Sequence, residues 1–279
     1  MPGATRLDIG DHAPTDGGPA KAVGHITWDR NASAAKPLPL VPYETLVSYF
    51  GRNPAGKKVP PHILWDPFVG RFTQFVPANS RSKSLADAPG GTRTNRAGSV
   101  VIQIEALFFP YCVVDGKTYA RLVDTPCAGW PELLAWVRSW GVPDVWPMGR
   151  PTSFASNRSA STWAKSGGWY GHSQVPENDH QDPGSWPAFT TGIPPFPGRQ
   201  YFVLGAHNDY ALQLQQWLAR GGWGPAYKVG PSRTMTQLDL DKVAALQRHY
   251  LSALGPADGL TGPKTWQYAY EVANGLRKK

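Results

Sequence analysis

Cysteine is nearly absent: Cys112 and Cys127 are the whole supply in 279 residues. They form no CxxC pair, which excludes a disulfide framework and a four-cysteine zinc site. Two free, part-buried thiols are expected, with a single bridge between them as the alternative. Long apolar runs are missing too. No window approaches ~18 consecutive apolar residues, so no segment reads as a membrane-spanning helix and no membrane insertion is expected. The opening Met1-Pro2-Gly3-Ala4-Thr5-Arg6 lacks the apolar core of a secretory signal, so work outside a cytoplasm is expected to need another way out. Clustered charge is the third scarcity. The net charge of +8 is scattered, with no dense Lys/Arg run and no nucleic-acid-binding signature. Nucleic acid is therefore not an expected partner, and an anionic surface such as a cell wall suits the charge better.

What the chain has in quantity is proline (28), glycine (30) and tryptophan (12). The first two imply many turns. The indoles could serve carbohydrate, although most tryptophans are core. With 41% hydrophobic residues, the chain is globular, long enough for one large domain or two smaller ones.

Residues 1–20 form a polar lead-in. Lys21 to Trp28 reads as a short strand, and it carries His25, a hydrogen-bonded core histidine unless a ligand cluster elsewhere needs a partner. Pro42 to Phe50 reads as a helix stopped by Gly51. Residues 61–66 and 71–76 read as a hairpin, and residues 78–98 as a long surface loop near a binding site. Ser99 to Phe109 is the strongest strand, apolar nearly throughout and interrupted by Glu105. A buried carboxylate is costly unless paired or near a cation, which makes Glu105 a site candidate. Trp130 to Trp140 is an amphipathic helix, and 144–166 reads as irregular. A Pro-rich linker, 191–198, separates residues 1–190 from a helical tail, 199–279. In that tail Asp209 is placed to cap the first helix, Asp239 to Leu254 forms the second and Thr261 to Ala273 the third.

The densest chemistry lies in Gly171-His172-Ser173-Gln174-Val175-Pro176-Glu177-Asn178-Asp179-His180-Gln181-Asp182-Pro183-Gly184. Two imidazoles and a carboxylate in a Pro- and Gly-bounded loop suit Zn²⁺. His180 and Asp182, two apart, point to one side of an extended segment. An ordinary polar surface loop is the plain alternative, and spacing alone leaves His180 as good a ligand as Asp182.

These segments resemble the zinc-dependent N-acetylmuramoyl-L-alanine amidases that share a fold with peptidoglycan recognition proteins. The resemblance spans about residues 20–187. It rests on His25, on PHILWDP…GRFTQFVP (61–77), on IQIE (102–105) and on GHSQVPENDHQDPG (171–184), where Gly-His followed ten residues later by Asp-Pro-Gly is the most specific part. GGWYGHSQVPENDHQDPG is similar to endolysins of phages that infect actinobacteria. VAALQRHY…DGLTGPKTWQ (243–267) resembles the three-helix peptidoglycan-binding module found beside many wall hydrolases.

The resemblance implies an α/β fold, with a mixed central β-sheet flanked by helices, plus a small three-helix C-terminal domain. It implies Zn²⁺ held by His25, His172 and Asp182, the last standing where some members use Cys. His180 stands where many members place a transition-state-stabilising Lys, so it takes the oxyanion role or competes as a ligand. Glu105 matches the acidic residue assigned as general base. The implied substrate is bacterial peptidoglycan, cut between N-acetylmuramic acid and L-alanine, with anionic wall polymers as further partners. The implied protein is a monomer that waits in the host cytoplasm for holin-dependent release. A non-catalytic wall binder and a zinc peptidase cutting within the stem peptide are the alternatives.

Overall fold

The computed structural model describes residues 1–279 except Asp11, Ala88, Thr191 and Gly192. One residue of the expected 78–98 loop and the first two of the expected linker thus lie outside the described residues. By contacts the chain divides into two units, Ala4–Trp130 with Trp140–Phe189, and Met1–Gly3 with Pro131–Ser139 and Thr190–Lys279.

The larger unit is mixed α/β. Its strands are β1 (Thr5–Arg6), β2 (Lys21–Ile26), β3 (Leu38–Pro39), β4 (Ile63–Asp66), β5 (Arg71–Gln74), β6 (Val101–Ala106), β7 (Cys112–Val114), β8 (Lys117–Tyr119) and β9 (Gly168–Gly171). Six of them form a sheet in the order β1-β5-β4-β6-β2-β9. Only the β4–β5 hairpin is antiparallel; the other neighbours are parallel. A smaller sheet joins β3, β7 and β8. Helix α1 (Tyr43–Arg52) belongs to this unit, α2 (Trp130–Ser139) leaves it after its first residue, and α3 (Ala160–Lys165) precedes β9.

The central strand β2 is buried along its length, and β6 is buried except at half-buried Glu105, because both faces of the sheet are largely covered. Alternation sends Ala22, Gly24 and Ile26 to one face and Lys21, Val23 and His25 to the other. On the first face, Trp65, Trp130, Trp169 and Trp186 pack at ring separations of 5.3 to 6.3 Å. Gly24 is required there, since a Cβ would come within 2.7 Å of the Trp186 indole. Most tryptophans are core as expected; Trp140 and Trp146 are half-buried and Trp28 is exposed. On the second face, Tyr43, Leu46 and Phe50 of α1 pack on Leu64, Phe75 and Leu107. Trp163 of α3 packs with Val23, Val101 and Tyr170. Neither cluster covers His25 and Glu105, which a cavity reaches instead.

Two local expectations change. Helix α1 runs through Gly51 and ends at Asn53, which turns extended ahead of Pro54. Gly51 stays helical and close-packed, with the Leu7 side chain where a Cβ would stand. The stretch expected to be irregular contains α3, capped by Ser159, whose hydroxyl accepts from the Thr162 N–H. Both cysteines are free thiols, as expected.

The smaller unit is helical: α4 (Asp209–Arg220), α5 (Gln237–His249), α6 (Leu251–Leu254) and α7 (Pro263–Ala273) follow α2. Ala135 of α2 shares a core with Leu214, Trp217, Val243, Leu246, Trp266 and Tyr270, and Arg138 donates to the Tyr270 hydroxyl and the Thr190 carbonyl. Residues 131–139, read from sequence as part of the first domain, thus group with the C-terminal helices. Asn208, one residue earlier than expected, caps α4 by accepting from the Ala211 N–H. The expected second helix breaks at Tyr250, which leaves Leu251 56% exposed and off the apolar face. Among the described residues no helix is long and apolar enough to cross a membrane.

A locked histidine ties β4 to its surroundings. His62 Nε2–H donates to the Ser80 carbonyl, and Nδ1 accepts from the Gln103 N–H. With both nitrogens used and the ring buried, burial lowers its pKa from 6.5 to about 4. Between those values the unfolded chain binds this proton and the folded chain does not. The stability present above 6.5 is therefore lost as pH falls toward 4, about 3 kcal/mol in all. His62→Gln, which carries no proton in this range, is expected to lose less stability than the wild type between pH 7 and pH 4, by about that amount, in urea titrations.

Candidate metal centre

Parallel pairing delivers the site residues to one edge of the sheet. His25 is in register with Glu105 across β2 and β6, and Gly24 with Gly171 across β2 and β9. His172, the first residue past β9, therefore arrives beside His25, at the carboxyl ends of the strands where open parallel sheets bind ligands. The loop that follows returns Asp182 to the same point. The Ser173 N–H donates to the Asp182 carbonyl at 2.8 Å, and the Ile26 N–H donates to Asp182 Oδ2 at 3.1 Å.

The two Nδ1 atoms of His25 and His172 are 3.0 Å apart. Asp182 Oδ1 is 3.1 Å from His172 Nδ1, and Asp182 Oδ2 is 3.8 Å from His25 Nδ1. All three side chains are buried. Tetrahedral zinc with bonds of ~2.0–2.2 Å needs ligand atoms roughly 3.3–3.6 Å apart, close to this spacing. His172 is oriented for the task. Asn178 donates through Nδ2 to the Pro176 carbonyl, which turns its Oδ1 toward His172 Nε2 at 3.1 Å. With Nε2–H donating outward, the lone pair of His172 Nδ1 points into the cluster. It faces a second imidazole nitrogen and a carboxylate oxygen, an arrangement that calls for a cation or a proton at its centre. Among the described residues His25 has no such outer partner, and its Nε2 is buried without a hydrogen bond. The donor set and spacing fit Zn²⁺.

Charge at the site follows from burial and proximity. Burial, then the neighbouring His172, hold the His25 imidazole well below its ordinary pKa. Burial pushes the Asp182 carboxyl up, but His172 and His180 beside it outweigh that and leave it below the carboxylate range. Glu105, with Oε1 4.0 Å from His25 Nδ1, is pushed well above its usual value by burial and by the Asp182 charge. His180 is separate from the buried three. It is 64% exposed, stacks on His172 at 4.4 Å and keeps its Nδ1 3.7 Å from Asp182 Oδ1.

His25, Glu105, His172, His180 and Asp182 all open on one cavity of about 810 Å³. Its wall also includes Trp28, Tyr49, Lys83 and Glu177, and Lys83, Ser84, Ala86 and Asp87 come from the 78–98 loop. The role of Asn178 was not legible in the sequence. An asparagine six residues after a histidine carries no periodic signal, and only the fold of the loop brings the two together.

No family model matches the chain, and no curated protein matches it. Two solved structures are similar to it in part. One is a Staphylococcus aureus hydrolase, AmiA, solved in complex with its ligand. It is 14% identical, and the match covers 62% of this chain and 66% of that one, just under two thirds, with a TM-score of 0.33. The other is the catalytic domain of XlyA, 13% identical over 49% of this chain and 72% of that one, with a TM-score of 0.27. Neither overlap is close enough to place the chain in a family.

Asp182→Ala is expected to abolish stoichiometric zinc binding, and Asn178→Ala to weaken it by roughly 10–100-fold by freeing the His172 ring. Competition with a chromophoric chelator measures both. Wild-type affinity in Asn178→Ala would remove it from the site.

Proposed function

We propose that this chain is a zinc-dependent N-acetylmuramoyl-L-alanine amidase of the endolysin type. The observation that carries the reading is the convergence of His25, His172 and Asp182 beside Glu105 in an accessible cavity. The residues that converge belong to the sequence segments that resemble those amidases. Zn²⁺ held by His25, His172 and Asp182 would supply Lewis acidity and lower the pKa of water in the site.

The chain's own groups have the remaining tasks. Glu105 takes a proton from the attacking water and returns it to the leaving amine of L-alanine. Burial and Asp182 favour its protonated form, and the cation that His25, His172 and Asp182 would hold beside it would favour the carboxylate this step needs. His180, on the cavity wall and held above its ordinary pKa chiefly by Asp182, donates to the developing oxyanion of the scissile carbonyl. Asp182 anchors on the Ile26 N–H and fixes the His172 side of the cluster. The C-terminal helices serve as a peptidoglycan-binding module that raises local enzyme concentration at the wall. Residues 1–190, 191–198 and 199–279 are the catalytic, linking and binding segments of this reading, except that residues 131–139 go with the binding helices. The protein acts as a monomer, held in the host cytoplasm until a holin releases it, and wall anionic polymers attract its positive charge.

Purified protein is expected to release stem peptides with free N-terminal L-alanine from peptidoglycan. Glu105→Gln should keep zinc and lose roughly 10²–10⁴ in kcat. Mass spectrometry of the fragments checks the bond. Fragments cut within the stem peptide, or full activity in Glu105→Gln, would overturn the assignment.

A further inference from the structure

The tip of the loop that carries His172 and Asp182 has an unusual backbone. Glu177 has a φ of 56°, in the left-handed region that a residue with a Cβ enters only at a cost. Asn178 closes the turn at this point by donating through Nδ2 to the Pro176 carbonyl. That closure aims Asn178 Oδ1 at His172 Nε2, 3.1 Å away. The orientation of a candidate zinc ligand thus depends on a turn whose middle residue is strained.

The strain is met from a different loop. Glu177 Oε2 accepts from the Thr92 N–H at 2.7 Å, and Oε1 accepts from the Thr92 hydroxyl at 2.6 Å. A carboxylate that takes two donors from one residue is held in both position and rotation. Among the described residues, 176–179 make no other hydrogen bond outside their own loop. Arg158 secures only the two legs, at the Val175 and His180 carbonyls. Thr92 itself stands on a braced frame. Asp87 Oδ1 accepts from the Thr94 N–H and hydroxyl and from the Asn95 N–H, and Asn95 Nδ2 donates to the Leu85 carbonyl. The same loop gives Ser84, Ala86 and Asp87 to the wall of the site cavity.

We propose that Thr92 and Glu177 are positioning residues for the metal centre. Their paired hydrogen bonds hold the left-handed turn at Glu177, the turn holds Asn178, and Asn178 holds the His172 ring in its zinc-binding orientation. The inference rests on the zinc site of the amidase reading and extends control of that site to the loop that holds Thr92. Neither residue belongs to the ligand cluster. Both act on it through Asn178, so their loss matters only while Asn178 is present.

The test uses the full chain and zinc affinity, measured by competition with a chromophoric chelator. Glu177→Ala removes the latch and keeps the strain, and is expected to weaken zinc binding by roughly tenfold. Glu177→Gly removes the latch and the strain together, since glycine adopts this φ freely, and is expected to recover most of that loss. Thr92→Val should fall between wild type and Glu177→Ala, and Thr92→Ser, which keeps the hydroxyl, should match wild type. In an Asn178→Ala background, Glu177→Ala is expected to change the affinity by less than about twofold. A second arm needs neither metal nor substrate. In the metal-free protein the His172 Nε2–H proton, held against Asn178 Oδ1, is expected to give a resolved NMR signal. It should exchange with water roughly tenfold faster in Glu177→Ala and Thr92→Val, and at the wild-type rate in Thr92→Ser. A wild type that binds no zinc overturns the metal reading, and faster exchange in the two variants then still supports the latch. Unchanged exchange in both overturns the latch whatever zinc does. So does a Glu177→Gly variant as impaired as Glu177→Ala, or a Glu177→Ala loss that persists in full without Asn178.

Discussion

The parallel pairing of β6, β2 and β9 is the constraint on which the site depends. With β2 between the other two, Glu105 and His172 are brought to either side of His25 without any loop having to search for them. The register is held by a steric condition on the opposite face. Gly24 lies against the Trp186 ring, and no side chain fits there. A slip of one residue would turn His25 into the tryptophan layer and Gly24 into the cavity. The aromatic core thus fixes which residue of β2 faces the chemistry, and the packing of one face and the reactivity of the other share a single alignment.

A buried carboxylate and two buried imidazoles are a poor source of stability. They persist because the surrounding backbone holds them. The Gly171 N–H donates to Gln174 Oε1, and Gln174 Nε2 donates to the Met148 and Gly149 carbonyls. Arg158 donates to the Val175 and His180 carbonyls. The loop is thereby shaped by its own hydrogen bonds, so a cation entering the cluster need not order it, and less binding energy is spent on that ordering.

Much of this was legible in sequence where one physical signal dominates. β2, β6 and the β4–β5 hairpin show as apolar runs, and α4, α5 and α7 show by their apolar spacing. β9 does not, because Gly168-Trp169-Tyr170-Gly171 carries the marks of a turn as much as of a strand. α3 is hidden by the serines in and beside it, Ser159, Ser161 and Ser166, and by having Trp163 as its one buried residue. The grouping of residues 131–139 with the C-terminal helices is a tertiary fact that no local pattern encodes. Alternation placed His180 and Asp182 on one side, and their imidazole and carboxylate do face each other. It could not foresee that one is buried and the other 64% exposed, since burial is set by what packs from outside the segment.

The distribution of charge gives the composition its meaning. A net +8 spread over a surface argues only for anionic company. In the structure Asp87, Glu105, Glu177, Asp179 and Asp182 gather on one cavity wall, where they favour a cation. The arginines of the neighbouring loop are not spare charge, because Arg93 lies against Asp16 and Asp87, and Arg96 against Asp16. Composition cannot tell such paired cations from unpaired ones, since pairing is set by which loops meet.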